Sequence, residues 1–261
     1  MTRVETTDEM KQRTIARQWA AFDRRACHHF RALHGDKVGW LGEDVLDHAA
    51  REGVKAAQRW GNDSVGGMLD YLTLVYMMGH EFANDPQYQS WVGLWVKHTD
   101  DTGERLKTEH LIVEALDLIP EFNPSPALWL NALDAADALL EAAQATAPAY
   151  RMSEADARNA TVSLLGTAWP KRMEHLSEEE LSAKIPALNP VLGKLGCKTP
   201  RLFAVGTLLA LHFGIGFLRD PRYPIFAEIA DRGELTGKEK LCLLIQTARE
   251  LELYPDKRSS G

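Results

Sequence analysis

One spacing occurs twice in this chain. Gly79-His-Glu-Phe82-Ala-Asn-Asp85-Pro86-Gln-Tyr88-Gln-Ser-Trp91 aligns with Gly214-Ile-Gly-Phe217-Leu-Arg-Asp220-Pro221-Arg-Tyr223-Pro-Ile-Phe226 at an offset of 135 residues. The same offset pairs Leu46 with Leu181, Gly61 with Gly196, Leu74 with Leu209 and Leu106 with Leu241, and Thr102-Gly103 meets Thr236-Gly237 after a one-residue slip. Self-similarity at a fixed period restricts a chain to architectures built from one repeated unit. The expected organisation is therefore two diverged copies of a multi-helix unit: residues 1–120, a connecting helix within 121–150, a second unit over 151–254 and a disordered tail at 255–261.

Each copy is expected to hold a helix ending in glycine, a buried apolar helix, a Gly-x-x-Phe-x-x-Asp-Pro-x-Tyr corner, a short helix and a closing helix. No run of β-branched residues alternates with polar ones as a half-buried strand requires, so the fold class is all-α. Periodicity and breakers predict helices over Asp8–Leu33, Glu43–Trp60, Val65–Phe82, Thr102–Leu118, Ala127–Ala145, Glu154–Leu165, Leu202–Leu218, Tyr223–Ala230 and Gly237–Leu253, with short helices between 165 and 195. Val65–Phe82 is apolar nearly all round, which predicts a central position. In the corner, Gly79 and Gly214 permit close packing and Phe82 and Phe217 anchor the helix end. Asp85-Pro86 and Asp220-Pro221 are expected to cap the following helix, with proline at its first position.

The net charge of −7 is uneven: residues 1–150 carry 14 basic and 23 acidic side chains, and residues 151–261 carry 16 and 14. A nucleic-acid footprint needs a basic excess, so none is expected, and an acidic first half favours a basic partner. The polar N-terminus lacks the apolar centre of a secretory signal, and Leu202–Leu218 is too short to span a bilayer, which points to a cytoplasmic protein with no membrane partner. Cys27, Cys197 and Cys242 lie far apart with no zinc-ligand spacing and are expected to be free thiols.

Familiar catalytic patterns are missing. No HExxH or HxxxH occurs, and the adjacent His28 and His29 point in different directions on a helix. His80-Glu81 faces Ile215-Gly216 in the other copy, which excludes a shared catalytic role there. His212, inside an apolar helix, is expected to be a core histidine with one satisfied nitrogen. Ser64 lacks the GxSxG spacing and fits a helix N-cap, Gly214-Ile-Gly216 lacks the third glycine of a dinucleotide fingerprint, and Gly237-Lys238 lacks the rest of a phosphate-binding loop. Asp100-Asp101 and Glu178-Glu179-Glu180 suit a solvated turn and a helix start. No catalytic residue, metal or cofactor is expected.

Phe22-Asp-Arg-Arg-Ala-Cys-His-His-Phe-Arg31, Asp44-Val-Leu46, Arg51-Glu-Gly-Val-Lys-Ala-Ala-Gln-Arg-Trp-Gly61 and Tyr71-Leu-Thr-Leu-Val-Tyr-Met-Met-Gly79-His-Glu-Phe82-Ala-Asn-Asp85-Pro86 together resemble the helical proteins encoded in bacterial type VI secretion effector loci, beside effector adaptors. The resemblance covers about residues 20–118 and reaches the second copy through its corner. It departs at Gln89-Ser90, where the family more often shows a proline. What it implies is a non-enzymatic adaptor or co-chaperone whose partner is a secreted effector or toxin, alone or with its adaptor. The alternatives are a cytoplasmic immunity protein and a small-molecule-binding helical domain, the last favoured if His80, Glu81, Asp85 and His212 converge on one cavity. Tyr88, Trp91, Trp95, Arg219 and Arg222 are the candidate partner-binding residues, because these types concentrate interface energy.

Overall fold

The structure, a computed structural model, describes residues 7–89, 92, 112–113, 115–116, 124–145, 154–175 and 178–253. Among them the ordered elements are all helical and no strand occurs. The principal helices are α1 (Thr7–His34), α2 (Glu43–Arg59), α3 (Val65–Met78), α4 (Pro126–Ala145), α5 (Glu154–Ala168), α6 (Glu178–Lys194), α7 (Pro200–Phe213), α8 (Pro224–Asp231) and α9 (Gly237–Leu253). The expected tail at 255–261, Trp91, Trp95 and nearly all of the expected Thr102–Leu118 helix lie outside the described residues.

Helix ends follow local chemistry. Asp8 and Glu9 in the first turn of α1, and Arg31 in its last, complement the helix dipole. Ser64 caps α3 by accepting a hydrogen bond from the Gly67 N–H at 3.0 Å, as expected, and Thr199 caps α7 by accepting from the Leu202 N–H.

Three expectations about boundaries need correction. The apolar helices stop at Met78 and Phe213 rather than at Phe82 and Leu218, because Gly79 (φ +100°) and Gly214 (φ +88°) turn the backbone into a region that side-chain-bearing residues rarely enter. Phe82–Asn84 and Phe217–Arg219 then form single 3₁₀ turns. Neither Pro86 nor Pro221 begins a helix: each sits in a turn, and α8 starts at Pro224. Finally, α6 runs unbroken through Pro186 and Pro190, where only short helices were expected. The two prolines lie four residues apart and are both exposed, on one face of the helix.

Helix α1 packs on α2 and α3, which also pack on each other. In the other half α7 packs on α5, while α4 covers α5 and α9. One contiguous hydrophobic cluster joins Phe22, Phe30, Leu46 and Leu72 to Trp129, Leu208, Phe226 and Ile245. The two halves therefore share a core.

The same 135-residue offset recurs in the backbone. α2 and α6, α3 and α7, and the 3₁₀ turns at 82–84 and 217–219 each begin and end 135 residues apart, and so do the capping pairs Ser64/Thr199 and Gly79/Gly214. Turn hydrogen bonds repeat as well: Tyr88 N–H donates to the Asp85 carbonyl as Tyr223 N–H does to that of Asp220, both at 3.0 Å.

Candidate functional site at the seam

The ends of α3 and α7 meet where the two corners face each other. A Cβ on Gly79 would come within 3.0 Å of the Phe213 carbonyl oxygen, and one on Gly214 within 3.6 Å of the Met78 carbonyl oxygen, so the backbones approach closely on both sides. The two aspartates cross over this junction. Asp85 Oδ2 accepts from the Ile215 N–H at 2.9 Å, and Asp220 Oδ2 accepts from the His80 N–H at 3.2 Å. Each donor stands 135 residues from the other. The other oxygen of each carboxylate stays local: Asp85 Oδ1 accepts from Gln87 N–H and Asp220 Oδ1 from Arg222 N–H, both at 2.9 Å. The third pair of contacts is also reciprocal, with Gln87 Nε2 donating to the Leu211 carbonyl at 3.2 Å and Arg222 Nη1 to the Tyr76 carbonyl at 3.0 Å.

These aspartates do not cap the next helix as expected. Each folds its own turn with one oxygen and ties down the opposite corner with the other. Sequence showed that the motif occurs twice but not that its copies face each other.

Charge separates the otherwise matched corners. Gln87 is neutral, whereas the Arg222 guanidinium donates to both oxygens of Asp220, with Nη2–Oδ2 at 2.6 Å. Arg222 is 4% exposed and Asp220 3%. Burial alone raises the carboxyl pKa of Asp220, but the Arg222 charge and hydrogen bonds outweigh it and hold that pKa below its ordinary value.

Three histidines surround the junction. His34 is 5% exposed, and its Nδ1 faces the Phe30 carbonyl at 2.8 Å, which assigns the proton to Nδ1 and leaves the buried Nε2 without a partner. Burial pushes its pKa down to about 4. Burial likewise lowers the His80 pKa, and its Nδ1 is buried and unpartnered. His212 stacks on Trp129 with ring centroids 3.7 Å apart and planes inclined by 13°. Its Nδ1 is buried without a partner, so the satisfied nitrogen expected for it is not Nδ1. Burial pushes its pKa down to about 3, with nearby Lys37 acting in the same direction.

A cavity of 220 Å³ lies beside the junction, lined in part by Lys37, Tyr76, Trp129, His212, Tyr223 and Glu252. Of the four residues whose convergence would have favoured a small-molecule-binding domain, only His212 lines it; His80, Glu81 and Asp85 do not. Among the described residues no group of three or more His, Cys, Asp or Glu side chains could hold a metal ion. No described helix is long and apolar enough to cross a membrane.

Of the expected partner-binding residues, Arg219 is exposed, with an ion-pair contact to Glu81 at 3.5 Å. Tyr88 and Arg222 are each 4% exposed: Arg222 is bonded to Asp220 and the Tyr76 carbonyl, and Tyr88 belongs to the core. Trp91 and Trp95 lie outside the described residues.

A different surface was missed. The core-facing stripe of α1 runs through Phe30, Ala26 and Phe22, all buried, and continues at helical spacing to Trp19 and Ile15, which are 45% and 53% exposed. Trp19 and Phe22 border a groove of 370 Å³ against Val54, Lys55 and Gln58 of α2, with the Asp23–Arg51 ion pair alongside. The stripe was legible as an i, i+4, i+7 pattern; that the core ends before the stripe does was not.

No family model, no curated protein and no solved structure matches the chain.

Proposed function

We propose that this chain is a non-enzymatic protein-binding protein, an adaptor or co-chaperone for a type VI secretion effector, and that its two corner-bearing halves descend from one duplicated unit. The observation that carries the binding role is the exposed continuation of the α1 core stripe at Ile15 and Trp19, beside a groove with an apolar wall. Large apolar side chains on a helix face gain free energy when a second surface covers them, and tryptophan is prominent among residues that dominate interfaces. The secretion context rests on the resemblance of residues 20–118. The duplication is supported by the shared element boundaries and by the reciprocal contacts of Asp85 with Ile215 and Asp220 with His80.

Local charge refines the partner's chemistry. Although residues 1–150 are acidic as a whole, the α1 segment from Lys11 to Arg25 carries five cations, Lys11, Arg13, Arg17, Arg24 and Arg25, against Asp23 alone. A partner docking on this helix should therefore present acidic groups around an apolar centre.

The test is copurification with the effector encoded beside this gene, comparing the wild type with Trp19→Ala. Loss of the buried tryptophan contact should cost about 2 kcal/mol of binding, roughly thirtyfold in affinity, with helicity and melting unchanged. Capture of an active effector supports the adaptor role and capture of an inhibited one the immunity alternative. Equal binding by both proteins removes the α1 surface from the interface.

A further inference from the structure

The cavity at the seam has a chemistry of its own. Its lining comes from the end of α3 (Tyr76), α4 (Trp129), the end of α7 (His212), the second corner (Tyr223) and α9 (Glu252), with Lys37 added from the turn after α1. At 220 Å³ it is smaller than the roughly 300–1,000 Å³ pockets that take drug-sized ligands, so its occupant is small. Aromatic rings supply much of the wall. The stacked His212 and Trp129 rings are fixed further by Phe213, set edge-on to His212 at 4.7 Å.

The charged groups in the lining are separated by function. Arg222 is neutralised by Asp220 and bonded to the Tyr76 carbonyl, which leaves Lys37 and Glu252, among the described lining residues, as the charges open to a ligand. Both line the same cavity and no ion pair joins them, so its wall presents one cation and one anion with aromatic rings beside them. His212 adds a neutral ring whose buried Nδ1 has no hydrogen-bond partner among the described residues. A purely anionic ligand would meet Glu252 unpaired and a purely cationic one would meet Lys37, whereas a molecule carrying both charges answers both.

We propose that the seam cavity binds a free α-amino acid, with its carboxylate on Lys37, its ammonium on Glu252 and its side chain against the aromatic wall. This site is independent of the α1 surface and of any protein partner. Because its walls come from both halves of the chain, a bound amino acid stiffens the junction between the corners, and occupancy stabilises the fold by mass action.

The experiment titrates each of the twenty L-amino acids into the full chain by calorimetry, with thermal melting in parallel. Benzoate and phenethylamine serve as probes carrying one charge only. At least one amino acid should bind with one site per chain and raise the melting temperature, and both single-charge probes should bind about tenfold more weakly or worse. Lys37→Ala and Glu252→Gln should each weaken binding at least about tenfold. Lys37 is exposed and Glu252 half-buried, so circular dichroism should show both variants folded. Absence of binding for all twenty up to about 10 mM, binding that neither substitution weakens, or equal binding of a single-charge probe would each overturn the proposal.

Discussion

Replacing Arg222 with glutamine converts the second corner, Asp220-Pro-Arg, to the chemistry of the first, Asp85-Pro-Gln. The first corner holds its aspartate through the Ile215 N–H, the Gln87 N–H and the Gln87 amide, and the same amide bonds the Leu211 carbonyl. In Arg222→Gln the Asp220 carboxylate keeps the His80 N–H and the N–H of residue 222, and the new amide can reach the Tyr76 carbonyl as Gln87 reaches Leu211. Lost are the charge-assisted bonds from Nε and Nη2, but a buried cation is removed with them. The net cost should be about 1–2 kcal/mol. Asp220→Ala differs: it leaves a guanidinium that is 4% exposed without its counter-charge and orphans the His80 N–H. Removing one partner of a buried pair costs about 3–5 kcal/mol. Urea unfolding followed by circular dichroism should separate the two variants by at least about 2 kcal/mol, or several degrees in melting temperature at roughly 2–4 °C per kcal/mol. An Arg222→Gln protein as unstable as Asp220→Ala would refute the chemical equivalence of the corners.

Further predictions follow from the same junction. Gly79→Ala should cost at least about 2 kcal/mol, because alanine must adopt φ +100° with its Cβ 3.0 Å from the Phe213 carbonyl oxygen; Gly214→Ala, at φ +88° with its nearest atom at 3.4 Å, should cost less, and thermal melts of both will rank them. Stability should fall on acidification. With its pKa near 4 when folded and 6.5 when unfolded, His34 takes up its proton preferentially in the unfolded chain as the pH falls through 6.5, so between pH 6.5 and 4.5 it removes about 2 kcal/mol. His34→Phe should flatten that slope in unfolding curves measured across the range, and an unchanged slope would show that His34 is not the group responsible. His212, lowered to about 3, acts with the same sign over a longer interval.

The contrast between what could and could not be read from sequence follows from the range of the interactions. α9 could be read to the residue, because a glycine start and an apolar period are local signals. The ends of α3 and α7 were overrun by several residues, since the apolar pattern continues through Ile215, Phe217 and Leu218 after the backbone has already turned at glycine. Asp85 and Asp220 were placed at the right turn with the wrong partner. Their decisive hydrogen bonds reach 130 and 140 residues along the chain, and local propensity carries no information about such contacts.

The single difference between the matched corners, Gln87 against Arg222, sets their division of labour. A neutral amide suffices to satisfy the Leu211 carbonyl, so a cation is not needed to build the corner. Arg222 nevertheless cancels the Asp220 charge at a wall of the cavity, beside Tyr76 and Tyr223, where the corresponding amide would leave that carboxylate without a counter-charge. A buried ion pair contributes little net stability over a well-bonded neutral pair, so stability alone does not favour arginine here. Its distinctive effect is on the electrostatics of the cavity wall. The Arg222→Gln protein should therefore lose amino-acid binding out of proportion to its small loss of stability, and an unchanged affinity in calorimetry would reduce Arg222 to a structural ornament of the corner.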